Sequence, residues 1–315
     1  MTMTGGASTG SALSLSDLHG DRKRHRRERL IRAVFLGAGA LSIIIGGLIV
    51  LSLVGRAVDF LRIVPLKSLF TLGWFPRRGL FDIRTILVGT LLVSAIAMVV
   101  AGPIGLGAAI YLSEYARPKA RRALKPILET LSGIPSVVMG YFALTFISPT
   151  VVGNICSNPD VFNIAAAGIG VGILVIPLVA SVAEDAMHAV PLALREASYG
   201  LGAKKMTTSL RVVFPAAVSG IVAALILGVS RAIGETMVVA IAAGGTGGSL
   251  FSLDVCGRGQ TMTGAMASLA TGSDAVRGAG GAYPSLFFVG FLLFLMTFGL
   301  NVASERFVRR VRRRY

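Results

Sequence analysis

The sequence predicts an all-α, polytopic membrane protein with six transmembrane helices and both termini in the cytoplasm. Three observations predict it. Hydrophobic residues make up 54% of the 315 residues and charged ones only 15%, against about 45–50% and about 25% in soluble domains; mean hydropathy is +0.75. The apolar residues fall in blocks that match the roughly 20 residues a helix needs to cross a bilayer. The basic residues, which give a net charge of +16, gather at the ends of those blocks.

Each element follows in turn. Residues 1–20 are rich in Gly, Ser and Thr and read as disordered. Seven cations follow in 22–32, so 1–32 is expected to be a disordered basic tail held against anionic lipid; a nucleic-acid arm is the alternative. The first span, 33–55, has only Ser42 and Ser52 as polar side chains. It is longer than a signal-peptide core and reads as retained. The segment to 84 mixes aromatics, Leu and Arg. It is expected to lie along the outer interface with Trp74 as its anchor. Five more spans are expected at 85–112, 127–148, 163–183, 213–243 and 284–303. They form a core over 85–305 with a cytoplasmic loop at 184–212. A basic cytoplasmic tail, 306–315, ends the chain.

With the N-terminus inside, the four inner segments hold 22 of the 31 Lys and Arg residues and the outer ones hold eight. That asymmetry sets the orientation. The outer segment at 56–84 carries six of those eight and runs against the trend. Cys156 and Cys256, the only cysteines, both fall in outer loops. They are a disulfide candidate in an oxidising compartment; two free thiols are the alternative.

Some chemistry is excluded. His19, His25 and His188 all lie outside the spans, and no Gly-Lys dipeptide occurs. No metal or haem site within the membrane is expected, nor a phosphate-cradling nucleotide loop. Gly168, Gly170 and Gly172 imitate part of a dinucleotide fingerprint, but no strand precedes them, so close helix packing is the reading.

One charged pair interrupts the fifth span. Arg231 and Glu235 are four residues apart and share a helix face. A charge at mid-bilayer costs from about 2.5 to well over 10 kcal/mol, so such residues face a bundle interior or a wet path. A guanidinium keeps its charge and offers a planar fork of donors suited to phosphate oxygens. Glu235 could balance Arg231 or accept from a protonated phosphate oxygen, and Thr236 adds a hydroxyl. A purely structural ion pair is the alternative. The third span opens with Ser132, Gly133, Ile134, Pro135 and Ser136. Pro135 is expected to bend or break the helix, which at membrane depth is tolerated where it lines a cavity or is buried in protein. Ser132, Pro135 and Ser136 therefore join the expected substrate path; a packed kink is the alternative.

The loop before the fifth span reads Glu196, Ala197, Ser198, then Gly202, then Val212, Val213, Phe214 and Pro215. This resembles the E-A-A-x-x-x-G-x(9)-I-x-L-P signature of ABC-importer membrane subunits, with Ser, Val and Phe as substitutions. Gly202 permits a tight turn, and Pro215 suits the first turn of the next helix. The stretches Ala109–Ala116, Glu129–Val138 and Arg231–Met237 look like the phosphate-specific ABC permeases, of the PstC type rather than the PstA type. The resemblance covers about 85–305. It implies the type I ABC-importer permease fold in a bacterial inner membrane, importing phosphate by alternating access. It implies as partners a second homologous permease, an ATPase dimer and an extracytoplasmic phosphate-binding protein, with lipid around them. Glu196, Ala197, Ser198, Gly202 and Pro215 would couple the chain to the ATPase. No cofactor is expected in this chain, since ATP and Mg would be bound by the ATPase.

Three other readings stand beside this one. A related oxyanion could be the cargo. An intramembrane serine hydrolase using Ser132 or Ser136 would need a base within reach, and no His lies in a span. A membrane scaffold would leave the cost of Arg231 and Glu235 unexplained.

Overall fold

The computed structural model describes residues 22–71, 73–244, 248–271 and 281–312. The tail expected at 1–20 lies outside the described residues. The chain divides into two units, Met1–Ser52 and Leu53–Tyr315. A helix, α1, runs Arg22–Ile63. Its start corrects the expectation of a disordered 1–32: the basic segment is helical from Arg22. Lys and Arg are good helix formers, and no Gly or Pro separates them from the apolar stretch. In the first unit Phe35, Leu36, Ile43 and Leu48 are exposed, as suits a surface that meets lipid.

The second unit holds the remaining elements. These are α2 (Ile83–Tyr115), α3 (Pro118–Leu131), α4 (Ser136–Ile155), α5 (Ile164–His188), α6 (Leu192–Gly200) and α7 (Lys205–Ala216). Then come α8 (Val218–Ile233), α9 (Met237–Ala242), α10 (Met262–Thr271) and α11 (Ala282–Arg312). Among the described residues five helices are long and apolar enough to cross a membrane, and a sixth is counted if α7 and α8, bent by 73°, form one span. The last helix continues through Arg312, where a separate tail was expected from 306.

Helix starts are set by local chemistry. Asp82 is fully buried, and its carboxylate accepts from the Arg84 N–H at 3.3 Å and the Thr85 hydroxyl at 2.8 Å, capping α2. Asn163 caps α5 by accepting from the Ala166 N–H at 2.7 Å. Both satisfy backbone donors that a helix leaves orphaned.

The centre of the unit is the pairing of α2 with α5. A Cβ added at Gly168 would lie 2.7 Å from Ile96 Cβ, and one at Gly172 would lie 2.9 Å from the Ala97 carbonyl oxygen. The glycines expected to serve close packing do so. Val93, Ala97, Ala101, Val171, Val175 and Val179 fill this seam and join Met139 of α4 and Val238 of α9 in one core.

Two expectations need correction. The third span begins at Ser136, not 127. Residues 127–131 belong to α3, a strongly amphipathic helix with no buried residue. Pro135 separates the two, since proline disfavours helical backbone in the residue before it. Arg121 and Lys125 of α3 pair with Glu184 of α5 at 2.5 and 2.9 Å, and Lys125 also pairs with Asp185. The bond to Asp185, aided by Glu184, holds the Lys125 ammonium above the ordinary lysine range against the opposing effect of burial. The second correction is Trp74, which is 0% exposed rather than interfacial. It sits in a two-stranded antiparallel ribbon, Trp74–Phe75 with Leu80–Phe81. Its ring lies 5.9 Å from that of Phe81, which meets Phe60 at 5.1 Å, and Phe60 in turn stacks on Phe288 at 4.8 Å. Long-range aromatic packing overrides the interfacial preference.

Cys156 and Cys256 are disulfide-bonded, with Cα atoms 6.2 Å apart. Backbone bonds run beside the bridge, from Asp160 N–H to the Cys256 carbonyl at 3.0 Å and from Ile164 N–H to that of Gly257 at 3.1 Å.

The α2–α5 seam yields a paired prediction. Gly168→Ala should destabilise the protein by about 1–3 kcal/mol through overpacking. Gly107→Ala, where nothing lies within 4 Å of the added carbon, should be neutral or stabilise by up to about 1 kcal/mol. Thermal midpoints in detergent check both, and equal midpoints for the two variants would contradict the seam.

Candidate functional site

Helix α8 stops at Ile233, and α9 starts at Met237. Gly234 weakens helical continuation, and Glu235 then fixes the break. One oxygen of its carboxylate, Oε1, accepts from the N–H groups of Thr236, Met237 and Val238 at 3.1, 3.2 and 3.5 Å. These are the donors that the start of α9 leaves without helical partners. The other oxygen, Oε2, accepts from Arg231 Nη1 at 3.1 Å. The Glu235 carbonyl, released by the break, accepts from the Thr263 hydroxyl of α10 at 2.7 Å.

The two partners differ in exposure. The Glu235 side chain is 4% exposed and that of Arg231 is 51% exposed. A guanidinium has five donors, and Nη1 is the one that meets Glu235. No other acceptor for Arg231 lies among the described residues. The pair therefore presents a fixed cation with unspent donors. Glu235, with both oxygens engaged, holds Arg231 and caps α9 instead of offering itself to a protonated oxygen. Thr236 stands beside it, with its hydroxyl donating to the Gly234 carbonyl at 3.3 Å.

Arg231, Glu235 and Thr236 are thus brought together. The Ser132, Pro135 and Ser136 group forms a second break, between α3 and α4. The Ser132 hydroxyl donates to the Glu129 carbonyl at 2.6 Å, and the half-buried Ser136 hydroxyl has no partner among the described residues. No hydrogen bond joins either serine to Arg231 among the described residues. Helix α4 nevertheless packs on α9, since a Cβ added at Gly140 would lie 3.1 Å from the Val238 Cα.

Helix α10 carries residues that the sequence reading missed. The Thr261 hydroxyl accepts from the Gly264 N–H at 3.1 Å, capping the helix, and lies 3.1 Å from the Thr263 hydroxyl. A cavity of about 150 Å³ beside the break is lined by Met237, Ala240, Gln260, Thr261, Ser268 and Thr271 among others. The available signal was a short run of small and weakly apolar residues after a threonine cap. Such runs are too brief to span a bilayer.

The coupling candidates form a separate surface. Glu196 and Ala197 are exposed on α6. The Ser198 hydroxyl meets that of Thr208 at 2.9 Å, tying α6 to α7. Gly202 adopts φ +78°, the left-handed turn between the two helices, which favours glycine. Leu192, Leu201 and Met206 are exposed around them. Pro215 stands in the first turn of the short helical segment Phe214–Ala216, which ends α7 just before the 73° bend. Its missing N–H removes one helical bond there.

Comparison with known proteins places this geometry. Residues 101–314 match the family described as binding-protein-dependent transport system inner membrane component. The phosphate transport system permease protein PstC 1 of Mycobacterium tuberculosis is 34% identical over 248 residues, 72% of each chain. A probable ABC transporter permease, YqgH of Bacillus subtilis, is 33% identical over 184 residues, and there the match spans only 59% of the relative's length. Among solved structures, a chain of the inward-facing MetNI methionine ABC transporter has a TM-score of 0.52 at 21% identity, covering 71% of this chain and 91% of that one. A chain of a bacterial ABC transporter that imports alginate also scores 0.52, at 17% identity, covering 91% and 99%. The fold is that of an ABC-importer permease, and the chain belongs to the family of binding-protein-dependent transport system inner membrane components.

Proposed function

We propose that the chain is a permease subunit of an ATP-driven importer of inorganic phosphate, acting by alternating access. The observation that carries the reading is Arg231: a cation held at a helix break by a buried carboxylate, with its remaining donors unspent. Charge-assisted bonds from a guanidinium to phosphate oxygens are short and directional. The family and the PstC relatives support the cargo.

The chain itself performs no chemical step. It is a transport component, and ATP with Mg would be bound by partner ATPases. Family membership implies an ATPase and a substrate-binding protein as partners. A second, homologous permease and a dimeric ATPase complete the proposed machine. Exposed Glu196 and Ala197 on α6, with the apolar rim of Leu192 and Leu201, are its docking surface for the ATPase. Closure of the ATPases on ATP would then shift α6 and reopen the path on the other side. Arg231 would bind phosphate while the path is open to either side. Glu235 keeps the guanidinium in place, so little rotamer entropy is lost when the anion arrives.

Two outcomes follow. Arg231→Ala should lower phosphate uptake by about tenfold to a hundredfold, the equivalent of one charged hydrogen bond, with the complex still assembled. Uptake of radiolabelled phosphate into proteoliposomes measures it, and wild-type uptake would reject the site. Glu196→Lys should reduce recovery of the ATPase when the chain is purified with its partners; unchanged recovery would remove α6 from the docking surface. ATPase stimulation compared across phosphate, arsenate, sulfate and phosphonate identifies the cargo.

A further inference from the structure

Glu114 and Arg195 form a buried ion pair outside the Arg231 site. The Arg195 side chain is 13% exposed and that of Glu114 is 4% exposed, with Nη2 to Oε1 at 3.0 Å. Arg195 belongs to α6, and Glu114 lies in the last, π-helical turn of α2, Tyr111–Tyr115. The same guanidinium donates to the Val190 carbonyl at 2.6 Å and to that of Met187 at 2.9 Å. The Ser113 hydroxyl donates to the same Glu114 oxygen at 2.9 Å. Beside this pair, Lys205 at the start of α7 stands 5.1 Å over the ring of Tyr115. The end of α2 is thus gripped at two points by the two short helices of the coupling loop.

The other half of α2 grips the site. The Thr90 hydroxyl accepts from the Met262 N–H at the start of α10, at 2.9 Å. One residue earlier, a Cβ at Gly89 would lie 2.3 Å from the Gln260 carbonyl oxygen, so the two backbones touch. Helix α10 holds the Glu235 carbonyl through Thr263. Helix α2 has 33 residues, about 50 Å at 1.5 Å each. A single continuous helix, with Pro103 inside it, therefore joins the coupling loop to the break that holds Arg231.

We infer that Glu114 and Arg195 are the clasp through which movement of α6 is passed to α2, and that α2 carries it to α10 and the Arg231–Glu235 break. Both are positioning residues for transport, and neither touches the cargo. This rests on the reading of α6 as the ATPase-facing helix. Arg195 could cap the end of α5 by its two carbonyl bonds alone, without a buried acid on α2. Contiguity by itself does not demonstrate coupling, so the test measures coupling directly.

The complete complex is reconstituted in proteoliposomes with its binding protein, and phosphate moved per ATP hydrolysed is measured. Glu114→Gln keeps the shape and removes the charge; Arg195→Lys keeps the charge and loses the fork. Each should lower phosphate moved per ATP by about tenfold, within the range of coupling between sites. ATPase recovery and basal hydrolysis should stay near wild type. The double variant should be no worse than either single one. Thr90→Val, at the far end of α2, should show the same fault. An unchanged ratio in Glu114→Gln and Arg195→Lys would overturn the inference. So would a fall in transport matched by an equal fall in ATPase recovery, which marks a fold-stabilising pair. If the wild-type complex showed no phosphate-dependent ATP hydrolysis, the transport reading itself would fail, and the clasp with it.

Discussion

A backbone cut within an apolar helix pair must find partners for its freed donors and acceptors inside the protein, because lipid supplies none. At the gap between α8 and α9 that demand is met by one residue and its neighbour. The Glu235 carboxylate takes the donors, and Thr263 takes the carbonyl. Everything distinctive about the site follows. A buried carboxylate in an apolar core needs a partner of opposite charge. Arg231, one turn earlier, supplies it. The arginine is therefore anchored by the same group that makes the break possible, and its outward-facing donors are left over.

The surroundings keep that arrangement stiff. Helices α2 and α5 approach closely because Gly168 and Gly172 leave no side chain between them. Val238 of α9 belongs to the same core. Small residues let backbones meet without a hydrophobic drive between helices. The result is a close-packed centre to which the outer helices attach. Helix α3 is held on it by the ion pairs to Glu184, and α7 joins it through a sharp bend. The breaks at Pro135 and Ala217 lie at the margins of the seam, where the outer helices join it.

Much of this was legible in the sequence. Apolar blocks of twenty or more residues have few alternatives to a span, so the first, second, fourth and last spans fall near their expected places, while the third starts at Ser136 and not at 127. Gly202 and Pro135 announce a turn and a break through backbone geometry that belongs to those residue types. Arg231 and Glu235 stand out because charge is rare in such a run. What stayed hidden depends on distant partners. Trp74 reads as an interfacial side chain until the paired strand sets Phe81 against it and Phe81 in turn meets Phe60, which stacks on the distant Phe288. Residues 127–131 read as span because Ile127, Leu128 and Leu131 are apolar. Only the pairing of Arg121 and Lys125 with Glu184, some sixty residues on, shows that this turn belongs to a surface helix. Helix α10 is too short to register as a membrane element, and its value lies in contacts to Thr90 and Glu235 that no local pattern announces.

The bridge between Cys156 and Cys256 spans a sequence separation of 100. During synthesis the first thiol must wait until α5, the coupling loop, α8 and α9 have all been made and threaded. Closing so long a loop restricts the unfolded chain by about 4–5 kcal/mol in the chain-entropy view. The bond therefore acts as a late seal. Once it has formed, the two loops it joins can no longer be pulled apart, and the helices between them are locked in their inserted order.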